Sequence, residues 1–157
     1  MKKLVLYVSR TGTTEKIAKE LSAKFDADLI KILPEKEYGS YFNALMRVII
    51  EKVVNEQAAS GSPYRDFSGY DVVFVGFPIW AGDMPTFLQD FLQNSTFGGT
   101  KIIPFATSMI SGIETAEKTL KRVCPGSTII EPYVCNKKTM NQYPNWIMRL
   151  NSFLKYL

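Results

Sequence analysis

Histidine is absent from all 157 residues, and that gap removes the commonest general base, the Cys-His and Ser-His nucleophile pairs and the commonest metal ligand. Catalysis by this chain is therefore expected to run on a bound cofactor, not on a side-chain dyad. Cysteine is nearly absent too. Cys124 and Cys135 do not form a Cys-x-x-Cys pair, so neither zinc nor a redox dithiol is indicated, and both read as reduced thiols. Long apolar runs are missing: Val72 to Ala81, interrupted by Gly76 and Pro78, falls well short of the ~20 residues of a spanning helix. Met1-Lys2-Lys3 looks like the start of a signal peptide, but the apolar run Leu4 to Val8 is stopped by Ser9 and Arg10, too early for a signal core. A soluble, cytoplasmic protein without a membrane partner is expected. Basic clusters are lacking as well. The formal charge is +4, from 19 Lys+Arg against 15 Asp+Glu, yet no basic run exceeds pairs such as Lys121-Arg122. Dispersed charge reads as a solvated surface, so no nucleic-acid partner is expected.

What is present is apolar material, 46% of the residues, enough for the core of one domain spanning residues 1–157. Strand and helix patterns alternate throughout. The run Leu4 to Val8 reads as a strand. Ile17, Ala18, Leu21 and Phe25 then fall at helical spacing, and Leu29 to Leu33 forms a short strand closed by Pro34. The apolar positions Phe42, Leu45, Met46, Ile49, Ile50, Val53 and Val54 predict a helix with one core-facing stripe. Tyr70 to Phe77 is almost continuously apolar, as strands buried on both faces of a parallel sheet are. A helix from about Pro85 follows, with Leu88, Phe91 and Leu92 inward, and then a strand over Lys101 to Thr107. Ser111 to Glu114 has the form of a capping box opening a helix through Ala116, Leu120 and Val123. Ser127 to Glu131 predicts a fifth strand, and Trp146 to Leu157 a last helix. Five strands alternating with five helices predict a three-layer, doubly wound α/β domain whose five-stranded parallel sheet has the order 2-1-3-4-5.

In that order the sheet reverses direction between strands one and three, and ligands bind beyond the carboxyl ends of the strands at such a point. Three loops meet there. Ser9-Arg10-Thr11-Gly12-Thr13-Thr14 sets hydroxyls, a glycine and a helix N-terminus around one spot, which suits an anionic group. The same residues also fit a plain turn with a threonine cap on the helix. The loop lacks the lysine of a P-loop and the glycines of a Gly-x-Gly-x-x-Gly turn. Pro78-Ile79-Trp80-Ala81-Gly82-Asp83-Met84 brings an aromatic beside it, and Thr107-Ser108-Met109-Ile110-Ser111-Gly112 closes the other side. An anion site flanked in this way suits a flat ring on a phosphate tail. A receiver domain needs acidic residues where Ser9 and Phe77 stand, and a low-molecular-weight tyrosine phosphatase needs a cysteine that the first loop lacks.

Thr11-Gly12-Thr13-Thr14 resembles the Thr-Gly-Asn-Thr phosphate loop of flavodoxins. Gly76 to Pro85 resembles the Gly-x-Pro-x-Trp segment of flavodoxin-like proteins, and Pro104 to Ser108 with Ser111-Gly112 is similar to their third flavin loop. The resemblance runs through nearly the whole chain in consistent order. It implies a flavodoxin-like fold and non-covalent FMN, with the chemistry on flavin N5 and no catalytic side chain. Carried over by position, Ser9, Thr11, Gly12, Thr13 and Thr14 would hold the phosphate. Arg10 would either pair with it or face solvent at the cofactor mouth. Pro78, Ile79, Trp80, Ala81 and Gly82 would line the ring, with Trp80 stacking, and Thr107, Ser108, Met109 and Gly112 would form the opposite wall. Thr13 stands where the family has Asn, and Met109-Ile110 where close relatives have Gly-Gly.

The expected function is electron transfer with a redox partner protein, or NAD(P)H-dependent reduction of a quinone-like or other small acceptor. The resemblance implies an acidic docking face for an electron shuttle, so the net positive charge tilts the expectation toward an oxidoreductase or an unusual partner. The alternative is a binding or regulatory domain of the same fold that has lost flavin, motivated by Met109-Ile110 together with the basic surface. Monomer and homodimer are both compatible with the chain, the latter through the aromatics of residues 38–42.

Overall fold

The computed structural model describes residues 1–35 and 60–157. The expected helix over Phe42 to Val54 and the aromatics of residues 38–42 lie outside the described residues. The described chain runs β1 (Lys3–Tyr7), α1 (Thr13–Phe25), β2 (Asp28–Lys31), β3 (Val72–Pro78), α2 (Thr86–Asn94), β4 (Lys101–Thr107), α3 (Glu114–Val123), β5 (Thr128–Ile129), β6 (Tyr133–Cys135) and α4 (Tyr143–Lys155). All strand pairs are parallel, in the order β2-β1-β3-β4-β5, with β6 also paired to β4. This is the order expected from the alternation of strands and helices. β1 lies between β2 and β3, so the chain reverses its direction of travel across the sheet at the β1/β3 boundary.

Two buried clusters explain why the central strands read as continuous apolar runs. Side chains alternate between sheet faces at period two. Leu4, Leu6, Val73, Val75, Phe77, Ile102 and Ala106 meet Phe87, Leu88 and Phe91 of α2 and Ala116, Leu120 and Val123 of α3 on one face. Val5, Tyr7, Val72, Phe74, Ile103 and Phe105 meet Ile17, Ala18, Leu21 and Phe25 of α1 and Trp146 and Leu150 of α4 on the other. Helices cover both faces, giving the three expected layers. Gly76 has a packing reason: a Cβ there would lie 2.1 Å from Cζ of Phe105, its partner across the β3/β4 ladder. The missing side chain makes room for that ring.

The fifth strand departs from the expectation of one segment over Ser127 to Glu131. β5 pairs Thr128 with Lys101, whereas β6 pairs Tyr133 with Phe105, so the second segment carries one residue more than its partner strand. Such an insertion is a bulge, and it forces a local break. Glu131 absorbs it at φ 45°, and Pro132 supplies no N–H to the ladder. The interruption is covered by α4: the Trp146 indole donates to the Glu131 carbonyl at 2.8 Å, Arg149 pairs with the Glu131 carboxylate at 2.8 Å, and Trp146 stacks on Tyr133 with ring centres 4.7 Å apart.

The capping box at Ser111 to Glu114 does not form either. α3 begins at Glu114 with Ile113 as its cap residue and no side-chain cap. Ser111 lies before the helix, its carbonyl receiving the Asn136 amide at 3.4 Å. At the carboxyl terminus, α4 ends at Lys155, and Leu157, expected inside the helix, is exposed. Among the described residues, no helix is long and apolar enough to cross a membrane, and no group of acidic, cysteine or histidine side chains is placed to hold a metal ion.

Candidate functional site

Beyond the carboxyl ends of β1, β3 and β4 the three loops enclose a cleft of about 270 Å³. It is lined by Ser9, Arg10, Thr11, Thr13 and Thr14 of the first loop, Pro78, Ile79 and Trp80 of the second, and Thr107, Ser108 and Met109 of the third. Eleven of the residues singled out from sequence are thus brought together. Gly12, Ala81 and Gly82 sit in the turns of the first two loops and do not line the cleft. Gly112 does not line it either; a Cβ there would meet the Glu114 carboxylate.

The first loop is shaped by one glycine. Gly12 has φ 93° and ψ −8° as the N-terminal cap residue of α1, a region that costs little only without a Cβ. Its N–H donates to Ser9 Oγ at 3.1 Å, and its carbonyl accepts the Lys16 N–H at 3.0 Å. No side chain caps α1. The loop threonines are therefore not acting as an N-cap, and the first turn keeps its positive partial charge, roughly half a unit, toward the cleft.

Among the described residues, the cleft lining holds the Arg10 guanidinium and no carboxylate. The acid in the first turn of α1, Glu15, is engaged elsewhere: Lys19 at 2.7 Å and Lys31 at 3.3 Å bond its carboxylate and hold it below the usual carboxylate range. A phosphate-sized anion at the start of α1 would meet hydroxyl and N–H donors and the positive end of the helix.

The second loop turns sharply. Trp80 and Asp83 exchange both backbone hydrogen bonds, at 2.8 and 3.1 Å, around Ala81 at φ 50° and Gly82 at φ 79°. Positive φ at both central residues defines a type I′ turn, the tightest hairpin connection. The turn is tethered from below. Buried Asp83 accepts the Thr119 hydroxyl at 2.8 Å and the Met84 N–H at 2.7 Å, Gln89 donates to the Met84 carbonyl at 3.1 Å, and Arg122 of α3 donates to Gln89 at 3.0 Å. Sequence reasoning had not assigned Asp83 or Thr119 any part in the site; the acid closing a Trp-Ala-Gly-Asp turn was the available signal. Trp80 is folded inward by this turn. It borders the cleft but is only 6% exposed and belongs to the cluster of Val8, Ile32, Met84 and Phe87, so the cleft meets one part of a largely core-packed indole.

The third loop is tied to the other two at Thr107. Its carbonyl accepts the Ile79 N–H at 2.9 Å, and its hydroxyl lies 2.8 Å from that of Thr14. Met109 and Ile110 are 72% and 76% exposed. Met109 forms the rim, Ile110 does not line the cleft, and neither fills it.

The flavodoxin family model matches residues 2–150 of this chain. The chain is a member of the flavodoxin family. Among solved structures, this flavodoxin-family chain is similar to a candidate flavoprotein of Bacteroides uniformis, with 32% identity over 92% of this chain and 97% of the other, and a TM-score of 0.77. A second, from Bacteroides eggerthii, shares 31% identity over 92% and 96% of the two chains, with a TM-score of 0.75. A flavoprotein from Lactobacillus acidophilus, solved in complex with FMN, has the same fold at 18% identity, covering 92% and 97% of the chains with a TM-score of 0.70. No curated protein matches.

Proposed function

We propose that this chain binds FMN non-covalently in the cleft and works as a flavin-dependent redox protein. The carrying observation is the N-terminus of α1, without a side-chain cap, at a cleft lined by hydroxyls and an arginine and, among the described residues, by no carboxylate. In this reading the phosphate is held by the first loop, through backbone N–H groups at the start of α1 and the hydroxyls of Ser9, Thr11, Thr13 and Thr14. The isoalloxazine would lie between Pro78, Ile79 and Trp80 on one side and Ser108 and Met109 on the other, while the Thr107 hydroxyl is turned to Thr14 of the first loop. Bound there, a flavin supplies electron exchange that no side chain of this chain can provide. The protein's part is to fix the ring, to exclude water from it with Ile79 and Met109, and to set its redox poise through the low polarity of that wall. The FMN-complexed Lactobacillus protein of the same fold supports the reading.

A flavin-free binding domain is the other reading. Its motive was obstruction by Met109 and Ile110, and their exposure weighs against it, since neither side chain fills the cleft. Fluorescence separates the two readings. Trp146 is fully buried in the cluster on the opposite sheet face, so a Trp146→Phe variant leaves Trp80 as the sole indole. Saturable quenching of that emission by FMN is expected; unchanged emission at high FMN defeats the proposal.

Electrons would come either from NAD(P)H, for delivery to a quinone-like or other small acceptor, or from a redox partner protein. The net charge of +4 favours the enzyme branch over docking on a positively charged partner. Steady NAD(P)H oxidation with a quinone supports that branch, and its absence, with exchange to a partner reductase, supports the carrier.

A further inference from the structure

Thr14 and Thr107 stand 93 residues apart in the chain, yet their hydroxyl oxygens lie 2.8 Å from each other below the cleft. Thr14, in the first turn of α1, is 2% exposed, and Thr107, the last residue of β4, is 9% exposed. Each hydroxyl has one proton and two acceptor positions, so the pair has two arrangements. If Thr14 donates, its proton is spent on the wall. If Thr107 donates, Thr14 Oγ1 is satisfied as an acceptor and its own proton is available to a group in the cleft. Thr107 is held from both sides for this role: its carbonyl receives the Ile79 N–H at 2.9 Å, and the next residue, Ser108, donates its N–H to the Cys135 carbonyl at 3.1 Å. The donor therefore sits on a strand end locked to two neighbouring segments.

We infer that Thr107 is a positioning residue for the anionic end of the ligand, its hydroxyl donating to Thr14 so that the Thr14 proton is presented to a phosphate oxygen. The inference rests on the FMN reading. It adds that phosphate recognition is relayed from β4 and does not reside in the first loop alone. An anion in the cleft selects the arrangement in which Thr107 donates, and hydrogen bonds in such a chain strengthen one another. Riboflavin, which lacks the phosphate, gives Thr14 no charged acceptor and should be indifferent to the relay.

The test uses the complete chain and compares FMN with riboflavin. Thr107→Val keeps the shape of the side chain and removes its hydroxyl. Its FMN affinity is expected to fall about three- to tenfold, with riboflavin affinity unchanged. Thr107→Ser, which keeps the hydroxyl and drops the methyl, is expected to bind both as the wild type does. In a Thr14→Val background, Thr107→Val should cost no further FMN affinity. Wild-type FMN affinity in Thr107→Val, or equal losses for FMN and riboflavin, overturns the relay while leaving FMN binding by the wild type intact. So does a serine variant that loses FMN affinity as the valine variant does. If the wild-type chain takes up no FMN, the flavin reading itself fails and the relay falls with it.

Discussion

Gly12→Ala separates backbone strain from crowding, because a Cβ at Gly12 would have no atom within 4 Å. The cost of the substitution therefore comes from the backbone at φ 93° and ψ −8°. Holding a residue with a Cβ in such a region costs about 1–3 kcal/mol. Alanine also reduces the entropy of the unfolded chain relative to glycine, which offsets about 0.4–1 kcal/mol. A net destabilisation of up to about 2.6 kcal/mol remains, and for a domain of this size that lowers the unfolding midpoint by up to about 10 °C. The loop can relieve the strain only by rotating the Gly12 peptide, which withdraws its N–H from Ser9 Oγ and re-aims the start of α1. FMN affinity should then fall together with the melting temperature. Thermal unfolding by circular dichroism and FMN titration on the same sample measure both effects. An alanine variant with unchanged midpoint and unchanged FMN affinity would refute the claim that the left-handed glycine shapes the anion site.

Three further outcomes are expected. Gly76→Ala, which drives a Cβ into the Phe105 ring, should cost about 1–3 kcal/mol through overpacking, and Phe105→Leu in the same chain should recover part of it; additive losses in urea unfolding would contradict the contact. Asp83→Ala strips the partners from the Thr119 hydroxyl and the Met84 N–H and should lower stability by about 1.5–3 kcal/mol, with weaker flavin binding because the Trp80 turn loses its tether; unchanged flavin affinity would show that the turn holds without it. Burial raises the Cys124 thiol from its ordinary 9.0 to about 12, and burial also raises the Tyr133 and Tyr143 hydroxyls. These groups keep their protons to higher pH when folded than when unfolded, so their contribution is complete below pH 9 and is lost as pH climbs toward 12. The melting temperature should fall across that window, and a flat profile would contradict the raised values.

The sheet was legible because its central strands advertise themselves. β4 occupies Lys101–Thr107, the span read from sequence, since an apolar run between Gly98-Gly99 and Ser108 leaves little freedom. The break between β5 and β6 was not legible, because a one-residue excess over β4 is a property of register and has no local signature beyond Pro132. The Ser111 to Glu114 pattern failed for a similar reason: local spacing proposed a cap, but those residues belong to the loop at the cleft, and the helix starts only once the chain has left it. At the site, loop membership could be read from the chain and contacts could not. The Thr14–Thr107 bond joins residues separated by almost the length of the sheet's winding. Trp80 was expected to present its face to a ligand, yet the type I′ turn behind it folds most of the indole into the core. An aromatic in a loop sequence reveals proximity to a site, and only the turn geometry decides how much of it the site meets.

The central claim is that the cleft between the loops after β1, β3 and β4 holds FMN. The most direct measurement is the visible absorption spectrum of the purified chain, taken as isolated and again after incubation with FMN and removal of the excess. Flavin bands in near-equimolar amount, released as free FMN when the protein is denatured, are the predicted result. A colourless protein that retains no FMN after incubation would contradict the account.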